Sequence, residues 1–172
     1  SIVRWMHREF PQLQQTVIEV NSAVIEAAHL FFELPQDKRL RVLCTDATEI
    51  MPTMTEKFDI IFLDAYTDFG APEEVKCVEF LRNLRWCLNS TGWLAGNTWT
   101  MTGDFIEQCE IWKSTFSQVL EARANRKGNV ILFGSQLSQL PEKKEFEATA
   151  KILQKRHQFD FHKMLRELHA VI

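Results

Sequence analysis

The sequence predicts an α/β fold: a doubly wound, mostly parallel sheet with an antiparallel hairpin toward its C-terminal end. Three observations carry that expectation. Segments of strand and helix character alternate along most of the chain, the pattern of a parallel sheet with helices on both faces. The segment from Ile60 to Leu63 is unbroken apolar sequence and ends on Asp64, as suits a strand covered on both sides. Two stretches of strand character, 119–123 and 129–134, flank Asn125-Arg126-Lys127-Gly128, which reads as a hairpin loop.

The elements follow in order. Residues 2–9 place Ile2, Val3, Met6 and Phe10 on one helical face, with neither strand nor cap before them, and Pro11 ends the helix. Thr16-Val17-Ile18-Glu19-Val20 is a short β-branched strand. Asn21 is a candidate N-cap for a helix carrying Val24, Ala27, Ala28 and Phe31 at i, i+3, i+4, i+7 spacing, and Leu34-Pro35 stops it. Leu40 to Cys44 is the next strand, closing on Thr45-Asp46-Ala47, and a short connection through Met51-Pro52 leads to the strand ending at Asp64. After Gly70-Ala71-Pro72, a helix over 73–88 buries Val75, Val78, Phe80, Leu81, Leu84 and Leu88. Asn89-Ser90-Thr91-Gly92 reads as a turn and Trp93 to Trp99 as a strand, with Asn97 a candidate to face the crevice beyond it. Asp104 is a candidate cap for a helix carrying Phe105, Ile106, Ile111, Trp112 and Phe116. Helical patterns then occupy 142–156 and 161–171, with Asp160 a candidate cap between them.

At 172 residues, with 45% hydrophobic and 25% charged residues, the chain reads as a single domain over 1–172 with a sizeable core. A formal net charge of −3 gives no basic face for nucleic acid. No apolar run approaches the roughly 18 residues of a membrane span, and no signal peptide opens the chain. Cys44, Cys77, Cys87 and Cys109 lie far apart in sequence without C-x-x-C spacing; they read as free buried thiols of a cytosolic protein. No grouping of His and acids at zinc-site spacing supports a metal, His157 and His162 included.

Three successive strands end in acids: Glu19, Asp46 and Asp64. In open α/β sheets, ligands bind in the crevice beyond the carboxyl ends of the strands. Singly, each acid is an ordinary loop or helix-start residue; together, on neighbouring parallel strands, they converge on one crevice. Glu19 suits ribose hydroxyls, and Asp46 suits an adenine amino group with the Ala47 N–H facing a ring nitrogen. Asp64 then lies nearer the reacting end of the ligand. Tyr66 and Phe69 flank the acids as ligand contacts or as apolar anchors of a lid. Trp93 and Trp99 read as core or subunit interface, and Glu73 and Glu74 as first-turn helix acids.

The ordered set Val17-Ile18-Glu19-Val20-Asn21, Thr45-Asp46-Ala47, Phe58 to Tyr66, and Glu79-Phe80-Leu81 through Asn89-Ser90-Thr91-Gly92-Trp93-Leu94 resembles the polyamine aminopropyltransferases. This is the spermidine synthase family, within the Rossmann-like class I S-adenosylmethionine-dependent methyltransferase-type fold. The resemblance covers about 1–135 and implies transfer of an aminopropyl group from decarboxylated S-adenosylmethionine to a polyamine amine, with no metal. It implies that Glu19 binds the ribose and Asp46 with Ala47 the adenine, with Val20, Asp64 and Ala65 also among the residues that bind the co-substrate. Asp64 would be the catalytic acid residue, with Tyr66 and Asp68 toward the small-molecule amine, in a cytoplasmic homodimer. The chain departs from the family pattern in two ways. Thr67 stands where the family has a second acid, with Asp68 one position further, and the first strand and glycine-rich nucleotide loop are lacking. Two further readings stay open: S-adenosylmethionine-dependent methyl transfer to a small molecule, and a catalytically inactive Rossmann-like family member.

Overall fold

The structure, a computed structural model, describes residues 1–67, 70–100, 103–123 and 128–171. Its residues group into two compact units, Ser1–Met54 and Thr55–Ile172.

The first unit is built on one parallel strand pair. Helix α1 (Ile2–Glu9) has the cap that its sequence did not suggest: the Ser1 hydroxyl accepts a hydrogen bond from the Arg4 N–H at 3.4 Å. Strands β1 (Gln15–Glu19) and β2 (Leu40–Cys44) pair in parallel, from Gln15 opposite Leu40 to Glu19 opposite Cys44. The crossover between them contains α2 (Ser22–Phe31), whose first turn is closed by Asn21 Oδ1 accepting from the Ala23 N–H at 2.9 Å, as expected of an Asn cap. Beyond β2 the expected plain connection is a one-turn helix, α3 (Ala47–Ile50), followed by a 3₁₀ turn over Met51–Thr53.

The second unit holds a five-stranded sheet. It comprises β3 (Phe58–Leu63), α4 (Glu73–Lys76), α5 (Val78–Trp86), β4 (Leu88–Trp99), α6 (Phe105–Thr115), β5 (Gln118–Arg123), β6 (Asn129–Ser135), α7 (Lys143–His157), α8 (Phe161–Arg166) and β7 (Leu168–Ala170). The strand order is β3-β4-β6-β5-β7, with β3 and β4 parallel and every later pairing antiparallel. The α/β class and the hairpin of β5 with β6 are therefore as the sequence predicted, with parallel pairing confined to β1–β2 and β3–β4.

Four local expectations are corrected. The helix over 73–88 is two helices, broken where Cys77 turns extended (ψ 155°) and its sulfur faces the Phe80 N–H at 3.5 Å. The turn at 89–92 is absorbed into β4, where pairing jumps from Phe58 opposite Leu88 to Ile60 opposite Trp93. The helix over 161–171 ends at Arg166, because Leu168–Ala170 supplies a ladder partner to the open edge of β5. On β3, Ile61 and Leu63 are half-buried while Ile60 and Phe62 stay exposed, so the apolar run is covered more on one side than the other.

Apart from Met51 and Met54, the buried hydrophobic residues among those described lie in the second unit. Leu81 and Leu84 of α5, Leu94 of β4, Leu120 of β5, Val130 and Leu132 of β6, and Trp112 of α6 are buried. Trp112 lies so close over Gly96 that a methyl group there would come within 2.7 Å of the indole; only glycine lets the helix ring approach the strand backbone. All four cysteines are free, but only Cys87 and Cys109 are buried; Cys44 and Cys77 are exposed, against expectation.

Candidate active site

In the first unit, the acids stand at the carboxyl ends of the paired strands. The Glu19 carbonyl accepts from the Thr45 N–H at 3.2 Å, which ties the two strand ends together. Glu19 Oε1 accepts from the Asn21 N–H at 2.9 Å. Asp46 Oδ1 accepts from both the Thr48 hydroxyl and the Thr48 N–H at 2.7 Å, capping α3. Those two bonds, the hydroxyl first, hold the Asp46 carboxyl below its usual range. Ala47 begins α3, and Val20 is exposed. Glu19 and Asp46 thus share one strand edge, and each already serves a local hydrogen-bonding role.

In the second unit, Asp64 follows the last residue of β3 and is exposed. Asn97 of β4 holds it: the Asn97 side-chain amide donates to Asp64 Oδ1 at 3.0 Å. The Asn97 side-chain oxygen accepts from Asn129 of β6 at 3.3 Å, and its carbonyl accepts from the Tyr66 hydroxyl at 2.8 Å. The amide is therefore clamped from the neighbouring strand, with its donor end aimed at the carboxylate. Burial above all, then the nearby Asp64 charge, pushes the Tyr66 phenol above its ordinary range. Asn97 was expected at the crevice; its role as holder of Asp64 depends on strand register that no local pattern shows.

Leu63, Ala65, Tyr66 and Asn97 line a cavity of about 380 Å³ next to Asp64. Tyr66, Trp99, Phe105 and Trp112 give it aromatic walls. Trp99 is 47% exposed and lies 6.2 Å ring to ring from Tyr66, so it belongs to the cavity rather than the core. Lys76 and Asp104, which the sequence did not mark as site residues, contribute charge. The Lys76 ammonium lies 2.8 Å from Asp104 Oδ2 and 2.6 Å from Glu73 Oε1. Asp104 makes no side-chain cap to α6, contrary to expectation, because its carboxylate turns to Lys76 instead. Asp68 and Phe69 lie outside the described residues; Thr67 pairs through its backbone with Gly70.

Among the described residues, no group of three or more His, Cys, Asp or Glu is arranged to hold a metal ion. No described helix is long and apolar enough to cross a membrane.

Parallel strands tipped with acids, followed by an antiparallel tail, define a Rossmann-like fold of the methyltransferase type. Solved structures agree. Human methyltransferase-like protein 13 in complex with SAH superposes with a TM-score of 0.84 at 20% identity, over 91% of this chain and 76% of that one. A probable spermidine synthase from Corynebacterium glutamicum gives 0.76 at 20% identity, over 89% of this chain and 58% of its own. In sequence, the chain is similar to the polyamine aminopropyltransferases of two Neisseria meningitidis strains, 28% identical over 175 aligned residues and 99% of this chain. The enzyme of that name from Vibrio vulnificus is 23% identical over 84% of the chain and 49% of its own length. No protein-family model matches. The resemblance to the polyamine aminopropyltransferases, whose named members are transferases, is borne out. The chain spans 66% of the length of the Neisseria relatives.

Proposed function

We propose that this chain carries the catalytic domain of an aminopropyltransferase of the spermidine synthase type. It would transfer an aminopropyl group from decarboxylated S-adenosylmethionine to an amine, a polyamine amine as the relatives' name implies. The observation that carries the reading is the Asp64 carboxylate, held by Asn97 beside an aromatic-walled cavity at the carboxyl end of β3. In support, Glu19 and Asp46 are hydrogen-bond acceptors on one strand edge, the chemistry that ribose hydroxyls and an adenine amino group require. Cytosolic location and a homodimer belong to the same reading.

The chemistry follows from charge. A free alkyl amine resembles lysine, with a pKa of about 10, and is mostly protonated near neutrality. The Asp64 carboxylate attracts that cation and takes its proton as the nitrogen attacks the carbon next to the sulfonium. A C–N bond forms, the C–S bond breaks, and its electron pair stays on sulfur, leaving a neutral thioether. Asn97 fixes the direction in which Asp64 accepts.

The test is turnover with decarboxylated S-adenosylmethionine and an amine, comparing the wild-type protein with Asp64→Asn. The substitution preserves shape and removes the proton acceptor, so turnover should fall by about 10²–10⁴-fold. Undiminished turnover would remove Asp64 from the mechanism. Methyl transfer from intact S-adenosylmethionine is the second reading, supported by the similarity to methyltransferase-like protein 13. Relative affinity for the two co-substrates separates them.

A further inference from the structure

The second unit has another hollow at the opposite end of β3. Lys57, just before β3, Arg82, Arg85 and Trp86 of α5, and Ser90 of β4 line an open groove of about 490 Å³, a size that suits a small-molecule ligand. Because β3 is six residues long, the groove lies about 20 Å along the strand from Asp64. Three cations meet there, on a chain whose net charge is −3. None of its described lining residues is acidic, and Asp68, the one acidic side chain outside the described residues, follows the other end of β3 in sequence.

Two of the cations have local roles. The Lys57 ammonium donates to the Trp86 carbonyl and lies 4.4 Å from the centre of the Trp86 ring, which suits a cation at the carboxyl end of a helix. Arg85 Nε donates to Gln136 Oε1 at 3.2 Å, and Gln136 Nε2 donates to the Arg85 carbonyl at 3.1 Å. That reciprocal clamp fixes Arg85 and leaves its two terminal nitrogens without a partner among the described residues. Arg82, one helical turn earlier, is exposed and has no hydrogen bond or ion pair among the described residues, not even to Glu79. Like charges one turn apart repel, and here no described carboxylate relieves them. The one carboxylate bonded to a lining residue is Asp59, which takes the Asn89 amide at 2.7 Å.

We propose that this groove is a second binding site, for a ligand carrying a pyrophosphate group whose oxygens are held by the Arg82 and Arg85 guanidinium groups, with Lys57 beside them. The proposal stands apart from the aminopropyl-transfer reading. Guanidinium forks match phosphate oxygens in pairs, and three cations call for a ligand with more than one negative charge. The group could arrive as free pyrophosphate or on a nucleoside diphosphate. In the second case the base would lie against Trp86, whose indole is 69% exposed.

The test is calorimetric titration of the protein with pyrophosphate, with citrate as an anion of similar charge that lacks phosphorus. Pyrophosphate should bind saturably, one per chain and more tightly than citrate. Arg82→Gln and Arg85→Gln should each weaken it about tenfold, and Arg82→Lys, which keeps the cation, should weaken it less. Titration with UDP separates the two sources without offering adenine to the strand edge of the first unit. Binding tighter than that of pyrophosphate, and lost to the pyrophosphate level in Trp86→Leu, assigns a nucleoside diphosphate; binding no tighter assigns free pyrophosphate. Three results overturn the proposal: no saturable binding of pyrophosphate up to about 10 mM, citrate bound as tightly, or affinity unchanged in Arg82→Gln. Arg82 holds no described residue in place, so that variant decides even where Arg85→Gln, which loses the Gln136 clamp, does not fold.

Discussion

At the end of β1 and β2 the acids are oriented by their immediate neighbours. Glu19 accepts from Asn21 and Asp46 from Thr48, each two residues away. At the end of β3, Asp64 is oriented by Asn97, 33 residues distant and itself held by Asn129. The surroundings differ in the same sense. No residue of α1, α2 or α3 is buried, and Val20, Leu30, Phe31 and Phe32 are exposed. The second unit packs Leu81, Leu94, Leu132 and Trp112 out of contact with water. A carboxylate set by a cap keeps its direction as long as one turn survives. One set by strand register keeps it only as long as the sheet and its core survive, and the structure puts the candidate proton acceptor in the second position.

The largest expected effect therefore falls on Asp64. Its substitution by Asn should remove most turnover with little change in melting behaviour, since the side chain is exposed and its bond to Asn97 can be replaced. Truncating Asp46 should act differently, weakening α3 and nucleotide affinity and not the chemical step. If Asp46→Ala and Asp64→Asn depressed kcat equally at saturating substrate, the division between a binding edge and a reacting edge would fail.

Trp112→Ala comes next. The indole is almost fully buried, touches the Gly96 backbone and forms part of the cavity wall. Its loss should cost about 3–5 kcal/mol in urea denaturation, the range for removing a large aromatic from a packed interior. It should also lower amine affinity without altering the local capping bonds of Glu19 and Asp46. A loss below about 1 kcal/mol would mean that the second unit does not depend on this contact as its packing implies.

These predictions follow the line between what the sequence shows and what it conceals. The strand-end positions of Glu19 and Asp64 were legible because each closes a strand whose composition announces it. The caps at Asn21 and Asp160 were legible because the bond runs from a side chain to a backbone N–H two or three residues on. Lys76 and Asp104 were not. Asp104 precedes an apolar periodic stretch and Lys76 falls inside the helical pattern over 73–88, so neither stands out as a site residue; their bond spans 28 residues and exists only because α4 and the start of α6 meet. The break at Cys77 was hidden for a similar reason. Apolar spacing continues through it, and the sulfur that caps α5 is a weak acceptor with little sequence signature. Leu168–Ala170 continues a helical pattern, and only the open edge of β5 turns it into a strand.

Asp46→Ala should cost about 1 kcal/mol, the usual worth of a helix N-cap, measured as a shift in the urea midpoint of the first unit.

The smallest effect separates the units by pH. In the first unit, Asp37 and Asp46 both have lowered folded-state pKa values, Asp37 from the Arg39 N–H and then His7, Asp46 from Thr48. A carboxyl lowered in the folded state contributes stability above its unfolded value, about 4, and that contribution disappears as pH falls through the folded value. Among the second-unit groups for which a shift is resolved, the direction is upward: Cys87, Cys109 and Tyr66 chiefly through burial, and Lys76 through its bonds to Asp104 and Glu73. A group raised in the folded state contributes fully below its unfolded value, and the contribution declines as pH climbs through the folded one, from about pH 8.5 for the thiols and about 10 for Tyr66 and Lys76. Acid should thus loosen the strand pair of the first unit and alkali the sheet of the second. Trp5 reports on the former, and Trp86, Trp93, Trp99 and Trp112 on the latter. With Trp5 replaced by Phe, indole fluorescence should lose its response at acid pH and keep it at alkaline pH; an unchanged acid response in that variant would show that the acid limb belongs to the second unit as well.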